Sequence, residues 1–345
     1  MHSSGADRTR EVPEGIPAIA QQLCGAQVVS VQLCGGGGNN RVYRIQTLDN
    51  TYALKSYGSA SLDDRDRLGH EYGGLRFLKE CGIGRALPAA LAVDRAARCA
   101  LYEWIFGTAP QQHDESDVRA LLDLLASIHD ARRAPGADDL PPATQAVLRL
   151  RDVLDQIDGR LARLATVAPD EPELAAFLET ELQPEVQRYS AALLPWDVEA
   201  MLPHAARTLS PSDFGFHNAL RRPDSSLVFI DFEYFGWDDP VKLSADFLWH
   251  PAMTLSAAER ACFFDGVTRL YGSDPHFAHR FTACYPLYGI RWVLIILNEF
   301  LPKLWARRAF SGKGRDWEGA KRAQLQKART ALAALGSHTE GQPRL

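Results

Sequence analysis

The sequence is poor in cysteine, and what it has makes no motif. The six, at 24, 34, 81, 99, 262 and 284, are widely spaced without a C-x-x-C pair. Reduced thiols in a cytosolic protein follow, and zinc is not expected. Long apolar runs are missing too: the longest late one, Trp292–Leu297, is far too short to cross a bilayer. The N-terminus, MHSSGADRTREVPEG, lacks the apolar core of a signal peptide and reads as a disordered leader. There is no excess of basic charge. A net charge of −5 and a pI of about 6.1 give no whole-chain reason to expect nucleic acid. Two nucleotide motifs are also absent. The run Gly35–Gly38 is not followed by Gly-Lys-Ser/Thr and opens no helix, and Gly312-Lys313-Gly314 lacks the required frame. These absences leave a soluble, cytoplasmic enzyme or binding protein with neither a nucleic-acid nor a membrane partner.

With 345 residues, 46% of them hydrophobic, the chain can bury a large core and suggests two lobes. Alternating, β-branched stretches predict strands at Val28–Leu33, Arg41–Gln46 and Thr51–Tyr57. The glycine-rich loop between the first two lacks Cβ atoms, so its backbone can approach phosphates closely. A lysine on a strand is ordinarily solvated. Lys55, however, follows that loop and precedes a helix over residues 64–81 that carries Glu71, and such a Lys–Glu pair presents an ammonium to nucleotide phosphates. Two further strands, Leu87–Val93 and Cys99–Ile105, complete a five-stranded antiparallel sheet bearing one helix. The segment ending at Gly107 reads as a connector whose backbone around Glu103–Ile105 can meet an adenine edge.

Beyond Ser116 the pattern turns helical, with helices expected over 145–164, 171–194, 256–271, 275–299 and 316–335. His129 falls on an apolar stripe and reads as a packing residue. The stretch Thr208–Tyr234 interrupts the helices. It holds Asp213 and Asn218 on a loop, a turn, a short apolar strand and then Asp231. A buried aspartate ending a strand is costly unless paired or bound to metal. One carboxylate to orient a hydroxyl, with an amide and a second carboxylate to hold Mg²⁺ on phosphates, is the set that phosphoryl transfer needs.

In this order, the segments GGGGNNRVYRI, YALKSY, SIHD, SDFGFHN and IDFEY resemble those of the aminoglycoside phosphotransferase and choline kinase-like superfamily, over most of residues 28–248. The resemblance implies an α+β, two-lobed protein-kinase-like fold. An irregular leader (1–22) would precede a nucleotide-binding lobe (23–106), a mainly helical catalytic and substrate lobe (107–337) and a polar tail (338–345). It implies transfer of the γ-phosphoryl group of ATP, or GTP, with Mg²⁺, to a hydroxyl of a sugar, aminoglycoside-like compound or amino alcohol. Asp213 would be the base, and Asn218 and Asp231 the metal ligands. Gly36, Gly37, Gly38, Asn39, Asn40, Lys55, Glu71, Glu103 and Ile105 would hold the nucleotide. Trp237, Asp238, Tyr285, Arg291, Trp292 and Glu299 are candidates for lining the acceptor site. One departure stands out. Pro211-Ser212 replaces the family's His-Gly before the aspartate, which motivates an alternative, a nucleotide-binding pseudokinase acting as an interaction module. A protein kinase is disfavoured because no A-P-E segment follows Asp231.

Overall fold

The computed structural model describes residues 12–36, 40–58, 65–310 and 316–340. Strands β1 (Val28–Gly36), β2 (Asn40–Thr47), β3 (Thr51–Tyr57), β4 (Ala90–Asp94) and β5 (Cys99–Glu103) form an antiparallel sheet in the order β1-β2-β3-β5-β4. Alternation along β3 sends Leu54 to one face and Lys55 to the other. The Leu54 face, with Tyr43, Ile45 and Leu101, is covered by helix α1 (Gly15–Cys24) through Ile16 and Ala20. The second half of the expected leader is therefore an ordered helix, ended by Gly25 in the left-handed region at φ 63°. The opposite face receives helix α2 (Arg67–Glu80), whose Leu68, Leu75 and Leu78 pack against Tyr57, Ala100 and Tyr102. Lys55 is buried because α2 roofs its face.

Gly107 joins the lobes. A Cβ there would lie 2.7 Å from the carbonyl oxygen of Arg221, so glycine alone lets the connector press against the second lobe. Thr108 and Arg221 then exchange backbone hydrogen bonds of 3.1 and 2.8 Å.

The second lobe contains α3 (Glu115–Ala131), α4 (Leu150–Ala165), α5 (Pro172–Ala176), α6 (Gln183–Ala191), α7 (Pro240–Trp249), α8 (Ala257–Tyr271), α9 (Phe277–Ile296), α10 (Pro302–Phe310) and α11 (Trp317–Glu340). Two small hairpins lie among them, β6 (Thr208–Ser210) with β9 (Gly236–Asp238) and β7 (Ala219–Arg221) with β8 (Leu227–Phe229). Capping boxes start α3 at Asp114 and α8 at Ser256. The helix expected from residue 145 starts only at Leu150, because buried Asp238 captures the Val147 N–H at 2.8 Å and holds that segment as a loop. The helix expected over 171–194 is split by a π-helical turn, Phe177–Leu182, ahead of Pro184, which has no N–H for a regular ladder. Helix α11 continues to Glu340, into the expected tail. Helix α9 is the lobe's central post, packed between α7, α11 and α4; its apolar stretch is a core rather than a surface feature.

His129 sits on the buried stripe of α3, with Nδ1 2.9 Å from Thr208 Oγ1 and its ring edge-on to Tyr271. Burial, reinforced by the Arg132 guanidinium, pushes its pKa down to about 4. The unfolded chain thus binds this proton near pH 6.5, whereas the folded chain binds it only near 4, so stability falls as pH drops through that window. In urea unfolding, His129→Asn should reduce the stability lost between pH 7 and pH 4 by on the order of 3 kcal/mol. An unchanged pH dependence would rule out this source.

Candidate active site

Strand β8 is followed by Ile230, whose N–H reaches the Asn218 carbonyl at 2.9 Å and sets the two segments side by side. The chain then reverses at Asp231, in the left-handed region at φ 68°, a conformation that aspartate tolerates better than most residues. This turn swings Asp231 towards β3. Oxygens of Glu71, Asp231 and Glu233 lie within 4.8 Å of one another. Lys55 Nζ sits among them, 2.6 Å from Glu71 Oε2, hydrogen-bonded to Asp231 Oδ1 and 3.7 Å from Glu233. Asn40 Nδ2 donates to Glu233 Oε2 at 2.7 Å, Arg67 pairs with Glu233 Oε1, and Tyr57 OH donates to Glu71 at 2.7 Å. Helix α2 can deliver Glu71 because Gly74 faces Phe235, whose ring a Cβ would meet at 2.4 Å. His70 Nδ1, 2.6 Å from the Phe235 carbonyl, secures the same contact.

The cluster holds more negative than positive charge. Burial opposes the Lys55 ammonium, but Glu71, Asp231 and Glu233 together keep it protonated well above the ordinary lysine range. Burial pushes Glu71 up to about 7 against the pull of Lys55, with Asp231 and Glu233 adding to the rise. Asp231 is the open member, with a side chain 35% exposed. Its Oδ2 and the Oδ1 of Asn218 are hard oxygen donors in a field of excess negative charge, which fits Mg²⁺.

The second group is built on the loop after β6. Ser212 lies in the left-handed region at φ 69°, which explains why a glycine is favoured there. Asp213 follows, half-buried. His217 Nε2 is 3.0 Å and His250 Nε2 3.5 Å from its Oδ1, and the two imidazoles stack at 3.9 Å. The Ala252 N–H donates to His250 Nδ1 at 3.2 Å, which leaves Nε2 as the protonated nitrogen facing Asp213. Burial, then the neighbouring His217, depress His250 to about 4, so it is neutral at pH 7. Burial would raise the Asp213 carboxyl, but the His217 hydrogen bond and both rings hold it below the usual range. Asn218 Nδ2 donates to the Asp213 carbonyl at 2.9 Å. Both imidazole contacts fall on Oδ1, so the Asp213 carboxylate can receive a hydroxyl proton through Oδ2.

The profile of the phosphotransferase enzyme family matches residues 30–281. The chain belongs to that family. None of the curated proteins matches this phosphotransferase. Among solved structures it is similar to the choline kinase LicA of Streptococcus pneumoniae (18% identity, 93% of this chain and 100% of that one, TM-score 0.58). A choline kinase from Cryptosporidium parvum matches at 11% identity, over 95% and 97% of the two chains, with a TM-score of 0.59. Spectinomycin phosphotransferase APH(9)-Ia, in complex with ADP and spectinomycin, matches at 11%, over 92% and 98%, with a TM-score of 0.57. These likenesses establish the kinase-like α+β fold expected from the sequence.

Of the residues singled out in the sequence, Lys55, Glu71 and Asp231 meet in one cluster of the phosphotransferase, and Asp213 and Asn218 in the adjoining one. Gly36 ends β1, while Gly37, Gly38 and Asn39 lie outside the described residues. Asn40 turns its amide to Glu233. In the connector, the Glu103 carboxylate accepts from the Ala89 N–H at 3.2 Å and the Ile105 side chain is buried. Arg291 and Trp292 line a cavity of about 270 Å³ that also contains Asp213. The other four acceptor candidates do not line it. Trp237 is buried with its indole N–H on the Ala137 carbonyl, and Asp238 is fully buried against Lys242. Tyr285 packs between Trp249 and Phe281, and Glu299 is buried where its carbonyl accepts from Trp317. Their strands and helices turn these side chains inward.

Sequence reasoning missed Glu233, Arg67, His217 and His250. Glu233 was within reach as the second carboxylate of IDFEY. His217 was within reach too, four residues after Asp213 in SDFGFHN, whereas nothing local marks Arg67 and His250, which act through contacts across the fold. It missed Lys242 as well. Fully buried, Lys242 Nζ bridges Asp238 at 2.7 Å, Asp246 at 3.4 Å and Ser212 Oγ at 3.2 Å. Together with the two histidines, this lysine braces the loop at the Pro211-Ser212 departure.

Proposed function

We propose that the protein transfers the γ-phosphoryl group of ATP to a hydroxyl of a small polar acceptor. The observation that carries this reading is the continuity of the two clusters: Lys55, Glu71 and Asp231 are tied through the Ile230–Asn218 contact to Asp213. The similar structures that hold ADP with spectinomycin, or ATP with streptomycin, support a nucleotide and a hydroxyl compound as the substrate pair. Lys55, fixed by Glu71, neutralises phosphate charge, and the connector at Glu103–Ile105 offers backbone groups to the base. The acceptor oxygen forms a bond to the γ-phosphorus as the bridging oxygen–phosphorus bond breaks. The acceptor's proton passes to Asp213 Oδ2 and ADP leaves. Mg²⁺ held by Asp231 and Asn218 would supply neutralisation of the phosphate charge. Since phosphoryl transfer is mostly positioning and charge stabilisation, a braced Asp213 whose carboxyl is held below the usual range suits the role of orienting the hydroxyl. The bracing at Ser212 removes the motive for a non-catalytic module.

Asp231→Ala tests this directly. The substitution removes a metal ligand and a partner of Lys55, so ADP release driven by acceptor should fall by about 10²-fold or more, with weaker Mg·ATP binding. Near-normal turnover would dismiss the assignment.

A further inference from the structure

The cavity beside Asp213 is lined by five arginines, Arg65, Arg67, Arg160, Arg163 and Arg291, against two aspartates, Asp213 and Asp246. We infer that the acceptor is an anion, a hydroxyl compound carrying a phosphate or carboxylate group, gripped between α4, α9 and the start of α2. This rests on the phosphoryl-transfer reading and narrows it to a substrate class.

The acidic residues of the cavity are already committed. Asp246 is bound by Arg291 Nη1 at 2.5 Å, Trp292 Nε1 at 2.9 Å and Lys242 at 3.4 Å, and Asp213 is bound by the two histidines. Asp246 thus has both oxygens engaged and holds no ammonium group, while Asp213 faces the reacting hydroxyl. Several arginines, by contrast, have donors to spare. Arg160 is only 8% exposed and its side chain bonds to the neutral Gln145 Oε1 at 3.0 Å. Arg163 bonds to the Gly159 carbonyl at 3.3 Å, and among the described residues neither it nor Arg160 forms an ion pair. Arg291 is 5% exposed, and its buried Nε has no hydrogen-bond partner. Arg160 is pushed down to about 9 by burial and by the fields of Arg291 and Arg163, a repulsion that a bound anion would relieve. Forked guanidiniums converging on one cavity match the geometry of phosphate and carboxylate oxygens, which a lone lysine would not. A cationic amine entering here would meet the same repulsion.

The test uses the full chain with Mg·ATP and measures ADP release over three groups of acceptors. Glycerol 3-phosphate and glucose 6-phosphate carry phosphate, gluconate carries carboxylate, and choline, ethanolamine and kanamycin are cations. The phosphate and carboxylate arms identify which anion is used. The expected result is a kcat/KM at least 100-fold higher for an acidic acceptor than for any amine. Arg160→Gln and the exposed Arg163→Gln should each raise its KM at least tenfold. Preference for the amines, or KM values unmoved by both variants, overturns the anionic class and leaves phosphoryl transfer standing. Absence of Mg·ATP binding in calorimetry overturns both. If ATP binds but no compound in the panel turns over, inorganic pyrophosphate is titrated against tryptophan fluorescence with Mg·AMP-PNP saturating the nucleotide site. Binding weakened tenfold in Arg160→Gln upholds the inference, and no binding, or binding indifferent to the variant, ends it.

Discussion

Asp213→Ala is expected to reduce kcat for phosphoryl transfer by about 10²–10⁴-fold, the span usual for loss of a positioned acid–base group. Mg·ATP should still bind, because Lys55, Glu71, Asp231 and Glu233 form their own bonded cluster. The acidity of Asp213 shapes a second expectation. With its carboxyl held below the usual range, it is ionised throughout the neutral region, so kcat/KM should not fall between pH 8 and pH 6 through protonation of this group. Steady-state kinetics of wild type and variant, with calorimetry for ATP, decide the matter. A variant that keeps more than a tenth of wild-type turnover would show that Asp213 is not the hydroxyl-orienting residue.

Lys242→Met is expected to have the largest effect on stability, a loss of about 3–5 kcal/mol in urea unfolding. Lys242 is fully buried, and removing its ammonium leaves Asp238 without a cation at full burial. Burial already raises the Asp238 carboxyl, and Lys242 is the first of the influences that counter it. The double variant Lys242→Met, Asp238→Asn should recover part of the loss, because the stranded charge is removed with its partner. The same substitution cuts the bond to Ser212 Oγ, so kcat should fall even in protein shown to be folded. A stability within 1 kcal/mol of wild type would mean that the buried aspartates do not depend on this lysine.

The legible parts of the molecule were those written in local pattern. Alternation in Thr51–Tyr57 placed Lys55 and Leu54 on opposite faces, and the sheet obeys it. The stripe Leu68, Tyr72, Leu75, Leu78 revealed α2, and the fold turns Glu71 onto the same buried face as the three leucines, 4% exposed beside Lys55, while Tyr72 is only partly buried. The leader illustrates the opposite failure. Residues 15–24 are short and bear no strong signal alone, and they become a helix because an apolar sheet face is available to cover. Four of the six acceptor candidates fall outside the cavity for a similar reason: Trp237 and Tyr285, for example, lie near the right segments in sequence, but their elements turn them into the core.

By itself the sequence determined the order of the elements, pointed through its family resemblance to the α+β class, and singled out Lys55, Asp213, Asn218 and Asp231 as candidates. The strands, helices and turns are encoded in period and turn chemistry within a few residues. Only the tertiary structure decided the bracing of Asp213 by His217 and His250, the burial of Lys242 beneath Ser212, and the arginine-lined cavity. Those features arise where segments as distant as Arg160 and Arg291 are packed together, and the charge they concentrate there is a property of the fold and of no single stretch of chain.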